Sequence, residues 1–169
     1  MKPWIDLARY REVRLSEALS EVELANKFLE LNLVRNAAGK VFQAWKALLG
    51  ALAVDVRDEL ARVFNRDIEL EDRVIKEVDY VIALIPTTRM REIARIIETR
   101  YPGTYSNTLL ALELHRYRYN GPDPEGVLSI YRSDKDALID LEKLIDTIKT
   151  TIKRIKNNMK SRISILFKR

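Results

Sequence analysis

The chain is 169 residues long, with 47% hydrophobic and 33% charged residues, which is the balance of a globular protein with a core. It contains no cysteine, which excludes disulfides and thiolate metal sites. No apolar stretch approaches the roughly 20 residues that cross a bilayer, and the N-terminus has no signal-peptide core. We therefore expect a soluble, cytoplasmic protein that forms one domain over residues 1–169. Abundant arginine and isoleucine, with Gln43 as the only glutamine, resemble thermophile usage.

Charge is distributed unevenly along the chain. The whole sequence carries a formal net charge of +5, but segment 149–169 contains eight cationic residues and no acidic residue. The remaining residues, 1–148, therefore carry a net charge of −3. The basic pI of about 9.4 reflects the C-terminal segment, and such a segment favours an anionic partner.

Apolar residues three and four positions apart predict two long helices at the start of the chain. The first is expected over residues 5–31 and the second over residues 34–64. The second is apolar around most of its circumference and contains Gly39 and many alanines. Because small residues allow helix axes to approach closely, we expect this helix to be the central, most buried one. Trp45 should lie in the core.

Two shorter helices are predicted next. A third helix is expected over about residues 71–85, and Pro86 ends it because proline lacks the backbone N–H. Thr87 or Thr88 is expected to cap a fourth helix, which ends at 100–103. The inward residues of these two helices are predicted to be Val74, Val78, Val81, Ile85, Ile93, Ile96 and Ile97.

Capping residues and helix breakers define two further helices. Ser106 or Asn107 is expected to cap a fifth helix, which the Asn-Gly-Pro segment at 120–122 ends. Residues 123–132 are predicted to form a loop, and Ser133 then caps a long last helix. The apolar residues of the fifth helix are Leu109, Leu112 and Tyr119.

The last helix has a narrow apolar ladder whose steps alternate between four and three residues, as in a coiled-coil seam. The ladder consists of Leu141, Ile145, Ile148, Ile152, Ile155, Met159 and Leu166. A single small bundle is expected to leave part of it uncovered, so the helix should project or contact a second chain. We therefore expect a homo-oligomer, with a dimer favoured.

No strand pattern and no internal repeat is evident in the sequence. The predicted fold is all-α, an up-and-down helical bundle of about five to six helices with a long C-terminal helix. Residues 149–169 form a basic helical extension of this single domain.

The order of these elements resembles a known family. The second helix contains Arg-Asn-Ala-Ala-Gly-Lys at 35–40 and Ala-Trp-Lys-Ala-Leu at 44–48. Leu-His-Arg-Tyr-Arg-Tyr-Asn-Gly follows at 114–121, before the long last helix. Up to about residue 150, the chain resembles the archaeal paREP branch of the HEPN (higher eukaryotes and prokaryotes nucleotide-binding) superfamily. The resemblance implies a helical bundle that often dimerises, and that in some members binds nucleotides or cleaves RNA without a metal.

One departure from that family concerns its nucleases, which carry an arginine before a histidine with four to six residues between them. Here the corresponding positions, 108–110, contain no arginine, whereas Arg116 and Arg118 follow His115, the only histidine. The departure argues against the ribonuclease activity of the family.

The densest polar group of the sequence consists of His115, Arg116, Arg118 and Asn120. A histidine can act as a general acid or base near neutral pH while arginines hold a phosphate. Because adjacent helical residues point about 100° apart, His115 should share a face with Tyr119 and not with Arg116. That geometry favours a structural interpretation, in which the histidine bonds near a helix end and the arginines are solvated or paired.

Arg35 and Lys40 lie near the N-terminus of the second helix, where an anion can bind. No GxxxxGK[ST] or GxGxxG pattern accompanies Gly39, which favours a role in helix crossing for this glycine and a surface position for Lys40. The acidic residues between 69 and 79 lack histidines or a calcium-loop pattern. We expect neither a metal nor a cofactor.

Lys149, Lys153, Lys156 and Lys160 recur at helical spacing in the basic segment and are candidates for phosphate contacts. Alternatively, these cations stabilise the C-terminal end of the helix dipole or pair with the acidic body of a partner subunit. Apart from Phe167, the segment has no aromatic residue on which bases could stack, so sequence-specific RNA recognition is not expected.

From these features we expect a non-catalytic HEPN-like module that self-associates and binds nucleic acid or a nucleotide through basic residues. One alternative is a protein-interaction module, such as the partner in a toxin–antitoxin or defence pair, as the resemblance implies. Another is a metal-independent ribonuclease that uses His115 with Arg116 or Arg118. Salt-dependent binding of RNA and DNA would separate the first possibility from the second.

Overall fold

The computed structural model describes the backbone of residues 2–71 and 73–166, and the side chains of residues 2–71 and 73–158. Seven α-helices and one β-hairpin occupy the described part of the chain. The helices are α1 (Leu7–Glu30), α2 (Val34–Val54), α3 (Arg57–Ala61), α4 (Glu77–Leu84), α5 (Met90–Glu98), α6 (Thr104–Asn120) and α7 (Asp134–Leu166). The strands are β1 (Asp67–Leu70) and β2 (Arg73–Lys76). The predicted all-α class, with a long C-terminal helix, is confirmed.

The first two helices form a helical hairpin. The Asp6 carboxylate caps α1 by accepting a hydrogen bond from the backbone N–H of Arg9 at 2.9 Å. Asn32, with a left-handed φ of 55°, makes the turn to α2, since asparagine tolerates this conformation better than most residues. The buried face of α1 consists of Tyr10, Leu15, Ala18, Val22 and Ala25.

Helix α2 is the centre of the fold, as predicted. Fourteen of its 21 residues are buried, and it packs against α1, α3, α4, α5, α6 and α7. Trp45 is 2% exposed, and its indole N–H donates a hydrogen bond to the Thr108 hydroxyl at 2.9 Å. The buried aromatic ring therefore has a partner for its polar atom, as a core tryptophan requires.

The second helix ends ten residues earlier than the predicted residue 64, at Val54, and short α3 follows. The reason lies at Asp55, the C-cap of α2. Its carboxylate accepts a hydrogen bond from Arg11 at 2.8 Å, and its carbonyl accepts one from Arg100 at 2.8 Å. Tertiary contacts therefore satisfy the end of α2, and Val56 leaves helical geometry with φ −125° and ψ 27°.

The expectation of a helix from residue 71, with no strand, is wrong. Strands β1 and β2 pair antiparallel, with Ile68 opposite Ile75, and α4 begins only at Glu77. The backbone N–H of Glu77 donates to the Arg66 carbonyl at 2.8 Å and closes the hairpin. Val74 is 62% exposed, so its helical spacing to Val78 does not mark a buried face. The predicted stop before Pro86 is confirmed, since α4 ends at Leu84.

Two predicted helix caps are also wrong. Residues Thr87–Arg89 form a 3-10 turn before α5, without a side-chain cap. Helix α6 begins at Thr104 after Gly103, whose φ of 89° suits glycine. The Glu98 carboxylate caps α6 by accepting the backbone N–H groups of Gly103 and Tyr105 at 2.8 and 2.7 Å. Ser106 and Asn107, the predicted caps, instead donate to the Gly103 carbonyl.

The apolar residues that the sequence marks on α6 do not form its buried face. Leu109 and Leu112 are only half-buried, and Tyr119 is 63% exposed. The buried residues are Thr104, Thr108, Ala111, Leu114 and Tyr117. A threonine pair replaces the expected leucines because the Thr108 hydroxyl bonds both Trp45 and the Thr104 carbonyl.

Ser133 caps α7, as predicted. Its hydroxyl accepts the backbone N–H of Asp136 at 3.2 Å, and the Asp136 carboxylate accepts the backbone N–H of Ser133 at 3.0 Å. This reciprocal arrangement is a capping box.

The apolar ladder of α7 packs against its own chain. Leu141, Ile145, Ile148, Ile152 and Ile155 are each at most 5% exposed, and α7 packs against α1, α2 and α6. The expectation of an uncovered ladder is therefore wrong for this part of the helix. The side chains of Met159 and Leu166 lie outside the described residues. No helix in the described part of the chain has the length and hydropathy needed to span a membrane.

Candidate nucleic-acid interface and histidine cleft

The lysine stripe of α7 consists of Lys149, Lys153 and Lys156, and all three side chains are exposed. They line a shallow groove of about 280 Å³ with Leu19 and Ile152. None of the three forms an ion pair with a described residue. The fourth predicted member, Lys160, has its side chain outside the described residues. The stripe thus presents aligned ammonium groups to solvent.

Arg35 and Lys40, the other predicted binding residues, make contacts within the chain. The Arg35 guanidinium donates hydrogen bonds to the carbonyls of Arg118 and Tyr119, the closest at 2.7 Å. These are orphan carbonyls at the C-terminus of α6, where a cation also interacts well with the helix dipole. Lys40 pairs with Glu21 at 3.0 Å. Arg35 therefore holds α6 against the start of α2.

Gly39 allows a close approach of a side chain from α6. A Cβ at this position would lie 2.8 Å from Cδ of Arg118, which is shorter than any ordinary contact. The Arg118 guanidinium also lies over the Tyr119 ring, 5.3 Å from its centroid, as in a cation–π contact. Arg118 is thus directed across α2.

The imidazole of His115 lies between two aromatic rings. It stacks on Phe42, with 3.9 Å between ring centroids and an interplanar angle of 22°. Its second neighbour, Tyr119, meets it edge-on at 5.2 Å, which confirms that His115 and Tyr119 share a face. Burial, with the nearby charges of Arg118 and Lys46, lowers the pKa of His115. The ring is therefore neutral at neutral pH.

Three of the four predicted polar residues line one cleft of about 480 Å³, namely His115, Arg116 and Asn120. The Arg116 guanidinium approaches Glu113 at 3.3 Å, and the Asn120 amide donates to the Leu128 carbonyl at 2.9 Å. Nδ1 of His115 is buried without a hydrogen-bond partner among the described residues. A catalytic histidine is normally oriented by such a bond, so this geometry argues against a catalytic role. The structural interpretation holds for Arg116, which is paired, but the hydrogen bond expected for His115 is not formed at Nδ1 with any described residue.

Sequence reasoning missed an arginine pair beside this cleft. Arg91 lines the cleft from α5, and Arg91 and Arg95 both donate to the Tyr105 hydroxyl at 3.4 Å. These hydrogen bonds lower the pKa of Tyr105. No local sequence pattern relates these arginines to Tyr105, because they meet it only when α5 packs on α6.

The described residues contain no group of three or more histidines and carboxylates placed to hold a metal ion. Two acids from the stretch 69–79 instead pair with arginines. Glu77 pairs with Arg66 at 2.5 Å, which lowers the pKa of the glutamate carboxyl. Asp79 accepts two hydrogen bonds from Arg57 at 2.8 Å. These acids hold the β-hairpin and α4 in place.

The fold defines the class of protein as an all-helical bundle around a buried, alanine-rich α2, with a long basic last helix. The model of the archaeal PaREP1/PaREP8 family matches residues 13–142, and the chain therefore belongs to this family. The matched segment contains α2 and the histidine cleft but ends before the lysine stripe. No curated protein and no solved structure matches the chain.

Proposed function

We propose that this protein is a self-associating, non-catalytic helical module that binds nucleic acid through the lysine stripe of α7. The observation that carries the proposal is the alignment of three exposed lysines without ion pairs among the described residues. Cations in this arrangement neutralise phosphates and release condensed counterions, which favours binding.

The spacing of the stripe suits contact with a nucleic-acid backbone. A helix rises 1.5 Å per residue, so lysines four and three positions apart recur about every 5 Å along α7. Their flexible side chains adjust to phosphates at somewhat different spacing. The described part of the stripe contains no aromatic residue, so the proposed binding depends on charge and not on base identity.

We also propose that the PaREP1/PaREP8 family is a branch of the HEPN superfamily. What supports this proposal is the combination of the crowded α2 with the Leu-His segment at 114–115 on α6, two helices that pack together. The absence of an arginine at 108–110, and the stacked position of His115 on Phe42, favour a member of that superfamily without nuclease activity.

Self-association rests on a different surface from the ladder of α7. The loop patch, which we define as Val127, Leu128 and Ile130, exposes between 61% and 79% of each residue. Exposed apolar clusters on otherwise polar surfaces are typical of protein contacts. The same patch favours a second candidate function, a protein-interaction module whose partner is a different protein.

A charge-matched pair of variants tests nucleic-acid binding. Replacing Lys149, Lys153 and Lys156 with glutamine should weaken binding of a mixed-sequence single-stranded RNA by more than about tenfold at about 50 mM salt. The slope of log affinity against log salt should become shallower by about 2, since each lost phosphate contact removes about 0.7. Fluorescence anisotropy with labelled RNA measures both quantities.

The control replaces three lysines that lie outside the stripe. Lys27, Lys135 and Lys143 are exposed, and their replacement with glutamine removes the same net charge. This variant should retain most of the affinity and the wild-type salt slope. No binding by the wild-type protein at about 50 mM salt, where phosphate contacts are strong, contradicts the proposal. The protein-interaction function would then become the first choice.

A further inference from the structure

A second basic cavity lies on the opposite flank of α7 from the lysine stripe. Its volume is about 290 Å³, and its walls come from α1, the end of α2, the segment after α5, and α7. The residues used below are Arg11, Asp55, Arg100, Tyr101, Thr151 and Arg154. At 100° per residue, residues 151 and 154 lie about 100–160° around the helix axis from the lysines of the stripe.

The only carboxylate among the described lining residues is already engaged. Asp55 accepts a hydrogen bond from Arg11 at 2.8 Å, and it accepts a second from the Tyr101 hydroxyl at 2.5 Å. The backbone carbonyl of the same residue accepts from Arg100 at 2.8 Å. Asp55 thus holds the back wall of the cavity in position and offsets one of its positive charges.

The cavity therefore has an excess of positive charge. Three arginines and one aspartate line it, which leaves a formal charge of +2. Arg154 is exposed and forms no ion pair with a described residue. Guanidinium groups that line one cavity from separate elements are suited to a phosphate, because each presents paired N–H donors to two oxygens.

Side chains that are already ordered before a ligand arrives lower the entropic cost of binding. Arg11 and Tyr101 are positioned by Asp55 before any ligand arrives, so less side-chain freedom is lost on binding. Burial and the neighbouring Asp55 carboxylate raise the pKa of Tyr101, so its hydroxyl stays protonated and adds no negative charge. Thr151 supplies a neutral hydroxyl on the α7 wall.

We infer that this cavity binds the phosphate group of a small phosphate ester, held by Arg154 and Arg100 against a wall that Asp55 positions. The volume is close to the roughly 300 Å³ lower end of small-molecule sites, so the ligand is a compact one. Such a ligand joins α7 to α1 and to the end of α2. The inference stands independently of nucleic-acid binding, since the lysine stripe lies on the other flank.

Titration calorimetry of the full chain with pyrophosphate, and then with AMP as a competing monoester, tests the inference. Arg154→Gln should weaken pyrophosphate binding by at least roughly tenfold, the effect of losing a charged hydrogen bond. Arg154→Lys keeps the charge but loses the paired donors, so its affinity should be intermediate.

Lys143→Gln is the matched control because it removes the same charge from an exposed residue of α7 that lies outside both the cavity and the stripe. It should leave pyrophosphate affinity within about twofold, in line with the weak interaction of exposed, separated charges. Far-UV circular dichroism checks that each variant is folded. No binding at millimolar pyrophosphate overturns the inference, as does equal weakening by Arg154→Gln and Lys143→Gln. Failure of AMP to compete overturns the assignment of a phosphate ester.

Discussion

Gly39 and Gly50 lie on the same helix, but their neighbours differ in freedom to move. At Gly39 the nearest atoms belong to the long, exposed side chain of Arg118. At Gly50 a Cβ would lie 3.0 Å from Nε of Arg14 and 3.0 Å from the Tyr10 hydroxyl. The Tyr10 hydroxyl donates a hydrogen bond of 2.7 Å to the Ile82 carbonyl. Burial raises the pKa of Tyr10 to about 12. The tyrosine is thus buried and fixed, whereas Arg118 is not.

We expect alanine to have opposite effects at these two glycines. Gly39→Ala gains up to about 1 kcal/mol of helix propensity and displaces only Arg118, so stability should be unchanged or higher. Gly50→Ala should cost about 1–3 kcal/mol, because overpacking against Tyr10 exceeds the same gain. Urea unfolding of both variants measures the difference. If both substitutions change the free energy of unfolding equally and in the same direction, the side chains next to each glycine do not determine the effect of alanine.

His115 should make stability depend on pH. Its folded pKa is lowered by burial and by Arg118 and Lys46, so the unfolded chain, with a pKa near 6.5, binds the proton more strongly. The contribution of the neutral ring is therefore present above about pH 6.5 and is lost as the pH falls towards the folded pKa. His115→Phe keeps a ring beside Phe42 and removes the titration.

Unfolding free energies at about pH 7.5 and pH 5.5 test this dependence on the histidine. The loss of stability between the two pH values should be smaller in His115→Phe than in the wild-type protein. His115 is the only histidine, so no other imidazole contributes. An identical loss in both proteins would mean that carboxylates alone account for the effect.

At the scale of the element, α6 depends on an acid from the preceding helix. Glu98 accepts two backbone N–H groups at the start of α6, and Glu98→Ala leaves both without this partner. We expect a cost of about 1–2 kcal/mol, the range for a lost cap. Glu98→Gln keeps an acceptor oxygen and should cost about half as much. Thermal unfolding compares the two, and equal costs would contradict a capping role.

The long helices were predictable because each carries its own periodic signal. The start and central position of α2 and the cap at Ser133 followed from local residue patterns and are confirmed, whereas the predicted end of α2 is not. The β-hairpin and the start of α6 were not predictable, because each depends on a side chain that lies outside the element it stabilises. Arg66 reaches Glu77 across the hairpin, and Glu98 accepts the backbone N–H groups of Gly103 and Tyr105. The periodic spacing of apolar residues in the sequence carries no information about such contacts.

The candidate sites likewise differ in whether a local sequence pattern predicts them. The lysine stripe follows from spacing within one helix, and its exposure agrees with that spacing. The phosphate cavity joins Arg11, Asp55 and Arg154, which are far apart in sequence. Nothing in their local surroundings relates them. Only the packing of α7 against α1 and α2 brings them together.

At the scale of the whole molecule, residues 149–169 carry the excess of positive charge and residues 1–148 are net acidic, while the loop patch is apolar. Self-association through the loop patch predicts that Leu128→Asp with Ile130→Asp gives a monomer, because a carboxylate in an apolar contact is strongly unfavourable. Ile5→Asp is the control, since Ile5 is 69% exposed and lies outside the patch. The Ile5→Asp variant should have the same oligomeric state as the wild-type protein.

Light scattering at micromolar concentration measures the mass of each variant. A monomeric wild-type protein contradicts self-association, and a dimeric double variant contradicts the loop patch as its surface. A truncation after Thr147 is not a clean test of self-association. It would remove Ile148, Ile152 and Ile155, which belong to the core.

The contribution of α7 to that core has a consequence for how the protein is made in the cell. Ribosomes synthesise α7 after every other described helix, yet its isoleucines cover α2. Until Ile155 has left the ribosome, the apolar wall of α2 that faces α7 lacks its cover, and exposed apolar surface promotes aggregation. A nascent chain arrested before this point is therefore a target for chaperones and proteases. Premature stop codons should remove the protein from the cell, even where they spare the entire segment matched by the family.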